Sequence, residues 1–164
     1  MTKEEISKAI EECEKRLTEL REELNKPAPV CKRWRPGQGE RFFHAGATGD
    51  IYSIIWQGGI IDEKLYAFGN VFPSKKAAEF EIERRKVIAE LSDFAEGDDA
   101  VWDGARYHYR FYYDFKSKSI EYSFGRNAKF ANLYFPSEEA AKAAIKVVGE
   151  ERVKKYYLEI KEEE

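Results

Sequence analysis

FGNVFPSKKAAEF, residues 68–80, returns as FANLYFPSEEAAK, residues 130–142. With a one-residue gap, both copies run aromatic, small, Asn, apolar residues, then Phe-Pro-Ser-x-x-Ala-Ala. Proline cannot donate to a strand ladder, so Pro73 and Pro136 each end an extended segment. The serines that follow, Ser74 and Ser137, are placed to accept from backbone N–H groups of a first helical turn. The Ala pairs beyond them let a helix lie close to a sheet.

Working outward, each copy is preceded by a hairpin signal. Residues 41–45 form a short strand, the Gly46-to-Asp50 loop turns it, and 51–56 return. Residues 65–72 then read as a third strand, and Ser74 opens a helix to about Phe94 with Ala77, Phe80, Val87, Ile88 and Leu91 on one face. In the second half, residues 106–115 alternate. Tyr107, Tyr109, Phe111, Tyr113 and Phe115 make an aromatic face, and Arg106, His108, Arg110, Tyr112 and Asp114 a wet, basic one. Residues 116–119 turn the chain, Ile120, Tyr122 and Phe124 face inward, 132–135 form a third strand, and Ser137 caps a helix that Gly149 ends. A final amphipathic segment, 150–160, is expected to be helical with Tyr156 and Tyr157 packed inward. The fold class is therefore α+β, with two tandem β-β-β-α repeats (about 34–95 and 105–160) sharing one aromatic core in a domain spanning 34–164.

Ahead of that domain, Thr2 and Glu5 form a capping box for an amphipathic, coiled-coil-like helix within residues 1–26. Ile6, Ile10, Cys13, Leu17, Leu20 and Leu24 follow a heptad, a seam narrower than a core-facing helix carries. This is the candidate homodimer helix. A parallel pair sets Arg16 against Arg21 of the partner, whereas an antiparallel pair can match Glu14 with Arg21. Pro27 and Pro29 stiffen a linker over 27–33.

Charged residues make up 36% of the chain, but 15% aromatics, with ten Tyr and eleven Phe, argue for a packed fold over disorder. No apolar run reaches membrane-spanning length, and the start lacks an apolar signal segment, so a cytoplasmic location is expected. Cys13 and Cys31 alone make no disulfide framework. The net charge of −3 is mild, yet unevenly spread.

The segment Trp34-x-Pro36-x-x-Gly39-Glu40, followed by aromatic strand residues, resembles small accessory proteins encoded by bacteriophages and prophages of gut bacteria. So does Phe68-Gly69-Asn70-x-Phe72-x-Ser74 running into Val87-Ile88-Ala89-Glu90-Leu91 and Phe94-Ala95. The resemblance covers most of the chain after residue 33, although His44-Ala45 departs from the bulky residues expected there. It implies an accessory gene of a mobile element, often aimed at host machinery, and transfers no catalytic residues.

Chemistry-bearing motifs are few. His44 and His108, at matching places in the hairpins, lack further ligands at metal spacing, so no metal or other cofactor is expected. Ser74 and Ser137 are explained as caps, and no Gly-rich segment matches a phosphate loop. The expected function is a non-enzymatic interaction protein that binds and blocks a host macromolecule, such as a defence nuclease. Its candidate surfaces are an acidic set (Glu90, Asp93, Glu96, Asp98, Asp99, Asp103) and a basic one (Lys32, Arg33, Trp34, Arg35, Arg41, Arg106, His108, Arg110). The alternatives are nucleic-acid binding on the basic strand face, or sequestration of a small ligand between the repeats.

Overall fold

The computed structural model describes residues 2–25, 33–97, 100–130 and 133–161. The protein is mixed α+β, and the described residues form five α-helices and two small antiparallel sheets, each a two-stranded hairpin. The chain divides into two compact units, residues 1–34 and 35–164.

The first unit is helix α1, Lys3–Asn25. Its start is the expected capping box: the Glu5 amide donates to Thr2 Oγ1 (3.3 Å) and the Thr2 amide to Glu5 Oε2 (2.7 Å).

The second unit opens with strands β1 (Arg41–Ala45) and β2 (Ile51–Ile55), paired Arg41 to Ile55 through Ala45 to Ile51. Helix α2 follows, Ile60–Ala67, where the sequence reading places the start of a third strand. The apolar run of 65–72 suits a strand, but Asp62 decides otherwise. Its carboxylate, buried in the first turn, accepts from the Gln57 amide (2.8 Å) and the Gly59 amide (3.3 Å), fixing the turn that starts a helix. Only Phe72 pairs with the hairpin, exchanging both backbone hydrogen bonds with Phe43 (3.0 and 2.9 Å).

Helix α3, Lys75–Ser92, is capped by Ser74, whose Oγ accepts from the Ala77 amide at 3.2 Å. The second half has no counterpart of α2 among its described residues. Strands β3 (His108–Asp114) and β4 (Ser119–Gly125) pair from His108–Gly125 to Asp114–Ser119. Phe135 exchanges two backbone hydrogen bonds with Tyr109 (3.0 and 2.7 Å), where a third strand was expected. Asn132, in that expected strand, lies outside the described residues. Ser137 then caps helix α4, Glu138–Val148, accepting from the Ala140 amide at 3.1 Å. Gly149, at φ 98°, ends α4 in a conformation that favours glycine. The last segment is only partly α-helical: α5 (Glu150–Arg152) passes into a π-helical turn, Val153–Tyr157.

The principal core gathers Val87 and Leu91 of α3, Phe111 of β3, Phe135, four small or aliphatic residues of α4, and Val153. Helix α3 also packs against the first hairpin, so it contacts both halves. The alternation of β3 holds in part. Phe111 is buried, but Tyr107 and Phe115 lie beyond the strand ends and are exposed. Phe124, expected inward, shares the core-facing side with Tyr109 yet is 61% exposed, packing edge-on against Tyr107 instead.

The bridges also correct the matching of the two histidines. Phe43 and Tyr109 hold the same place, so His108 corresponds to Phe42, not to His44. Both Phe42 and His108 are 0% exposed.

Candidate functional site

His108, expected on a wet face, is the most completely buried polar residue described. The connection between the halves folds over the first position of β3, stacking Trp102 on the imidazole at 3.7 Å and 11°. Tyr134 meets Trp102 edge-on at 4.8 Å, closing the cluster. His108 Nδ1 lies 2.5 Å from Glu96 Oε2, and Glu96 is anchored separately by its amide, which donates to the Tyr134 carbonyl at 2.7 Å. Glu96 Oε1 and His108 Nε2 are buried and have no protein partner among the described residues. A carboxylate holding one imidazole nitrogen is an arrangement known from general bases, but here the ring is sealed beneath Trp102. Among the described residues there is no group of three His, Cys, Asp or Glu side chains able to hold a metal ion.

The acidic set does not form one surface. Glu96 faces His108, and Glu90 is held by both terminal nitrogens of Arg152 (2.7 and 3.0 Å), tying α3 to α5. Hydrogen bonding from Arg152 lowers the Glu90 pKa from the usual carboxylate value, and raises that of Arg152 in return. Asp93 and Asp103 remain exposed, the latter accepting from the Ala105 amide at 2.8 Å. Asp98 and Asp99 lie outside the described residues.

The basic set is likewise dispersed. Lys32 lies outside the described residues, Arg33 is exposed and Trp34 is half-buried. Arg35 pairs with Glu63 and its guanidinium lies over Trp56 (5.3 Å) and Tyr66 (5.0 Å), pinning α2 to the hairpin. Arg41 donates to Ser53 Oγ at 3.0 Å. Arg106 is exposed ahead of β3, and Arg110 donates to Ser123 Oγ (3.1 Å) while covering the Phe130 ring (4.3 Å). The wet face of the second hairpin therefore presents Arg110 beside Asp114 and Glu121, which the register places on the same side.

Two apolar surfaces stand out instead. On α1 every described side chain is exposed, and Ile6, Ile10, Leu17 and Leu20 are 44–52% exposed along the expected seam. Ile6, Ile10, Cys13 and Leu17 line an open groove of about 630 Å³. The side chain of Leu24 lies outside the described residues. The other surface, on α2, is absent from the sequence reading: Ile60, Ile61 and Phe68 are 78%, 72% and 84% exposed. Its signal is the spacing 60, 61, 64, 67, 68, visible only once these residues are read as helix.

Comparison with protein-family models, with curated proteins and with solved structures gives no match to this chain. Among the described residues, no helix is long and apolar enough to cross a membrane.

Proposed function

We propose that this chain is a non-enzymatic interaction protein, of the phage-accessory kind that its sequence resembles, which binds and blocks a host macromolecule in the cytoplasm. Helix α1 carries the reading. Its 23 residues hold a heptad seam whose described members, Ile6, Ile10, Cys13, Leu17 and Leu20, are all exposed. Most helical stability in proteins comes from packing an apolar face, which a partner across this seam supplies. We assign that partner as a second copy, which pairs two bodies and presents their surfaces twice. Each body is a duplicated hairpin, bridge and capped helix around one scaffold, with function carried by what differs between the halves.

Sedimentation of the full chain tests the pairing, and affinity capture from host cells tests the target. A dimer reduced to a monomer by Leu17→Glu, with a host macromolecule retained in fixed stoichiometry and inhibited on mixing, is the expected outcome. A wild-type monomer that retains no such target overturns the reading.

A further inference from the structure

Helix α2 is inverted relative to an ordinary surface helix. Asp62 is 7% exposed and turned to the Gln57 and Gly59 amides, and Glu63 is engaged by Arg35. The apolar Ile60, Ile61 and Phe68 face solvent, with Lys64 and Ala67 exposed between them. At 3.6 residues per turn these five positions share one face, so the helix shows water an apolar face while Leu65 and Tyr66 are half-buried on the other side. Large apolar side chains grouped this way mark an interaction site, not scattered surface exposure.

We propose that this face docks an amphipathic segment of a partner protein, one that carries an Asp or Glu among its apolar anchors. The charge pattern selects that occupant. Lys64 sits at the middle of the stripe, and the carboxylates of α2 itself are directed elsewhere. A two-fold axis through the stripe would oppose Lys64 to Lys64 of a second copy, whereas a carboxylate between apolar anchors matches it. The stripe covers little more than two helical turns, so it suits a short segment with a few anchors at i, i+3 or i+4 and i+7. This proposal rests on the interaction-protein reading but makes no use of α1.

The test titrates the ¹⁵N-labelled full chain with a synthetic amphipathic peptide bearing Leu anchors with Glu between them, and with its twin bearing Lys in place of Glu. Saturable amide shifts at Ile60, Ile61, Ala67 and Phe68 are expected with the Glu peptide, and binding roughly tenfold weaker with the twin. Lys64→Glu should reverse that preference, and Ile61→Asp should abolish both responses while leaving amide signals outside α2 in place. The proposal is overturned by no α2 shift at millimolar peptide or by equal response to the two peptides. Shifts that grow with protein concentration alone would identify a second copy, and shifts only with phosphatidylglycerol vesicles a lipid surface; either overturns it as well. If α2 stays silent while Leu17→Glu still changes the mass, the docking proposal fails and the function proposed above stands.

Discussion

His108→Phe places in the second hairpin the residue that its counterpart, Phe42, supplies in the first. By shape and hydrophobicity the exchange should be tolerated, because the site is sealed and aromatic on two sides. The carboxylate decides the outcome. Glu96, its side chain 7% exposed, would lose its partner at 2.5 Å and remain buried. Breaking a buried pair from one side costs about 3–5 kcal/mol, whereas replacing both members with apolar residues of similar volume is often neutral or stabilising. The expected ordering is therefore a single variant destabilised by roughly 2–4 kcal/mol, after a partial offset from the apolar ring, and a His108→Phe/Glu96→Leu double variant close to wild type. The Glu96 amide keeps its bond to Tyr134 in both, so the connecting segment stays anchored. Urea unfolding followed by tryptophan fluorescence reads the effect, since Trp102 lies on the substituted ring. Additive single and double effects, within about 0.5 kcal/mol, would refute the claim that the pair is coupled.

Asp62→Ala removes the acceptor for two backbone amides and should cost about 1–2 kcal/mol, with loss of amide exchange protection at Gln57 and Gly59. Ser137→Ala should cost about 1 kcal/mol in thermal unfolding, with the fold unchanged by circular dichroism. The Glu90–Arg152 pair is half-exposed, so Glu90→Gln should cost no more than about 1 kcal/mol at neutral pH. Because the folded pKa of Glu90 is depressed, that contribution is present above the ordinary carboxylate value of 4.5 and disappears as pH falls below it through the depressed one. Stability curves of wild type and variant should therefore converge on acidification; curves that stay parallel below pH 4.5 would contradict the pairing.

What was legible in the sequence was local. The Pro-Ser junctions announced two capped helices because capping needs only residues within one turn, and Ser74 and Ser137 both cap as expected. The hairpins were legible from alternation and from the Gly46–Asp50 turn, closed by the Gly46 amide on the Asp50 carbonyl at 2.7 Å. Residues 65–72 misled because their apolar run suits a strand, while the determinant of α2 is a carboxylate reaching backwards to Gln57. The dispersal of the candidate surfaces has a related cause. Glu90, Glu96 and Arg35 carry charge in the sequence, but partners 62, 12 and 28 residues away commit them to internal contacts. The inverted face of α2 was hidden behind the same misreading.

Asn70, the asparagine in the first copy of the repeated motif, has a consequence of its own. Its side-chain amide accepts from the Ala45 N–H at 3.0 Å and donates to the Ala45 carbonyl at 2.7 Å, as a neighbouring strand's peptide would. Together with Phe72 on Phe43, it occupies hydrogen-bonding groups at two alternate positions of β1 without a strand being present. An open edge is a template for aggregation, because any extended chain can add to it. One carboxamide and one bridging residue blunt that hazard here, so the hairpin can stay short without recruiting stray strands.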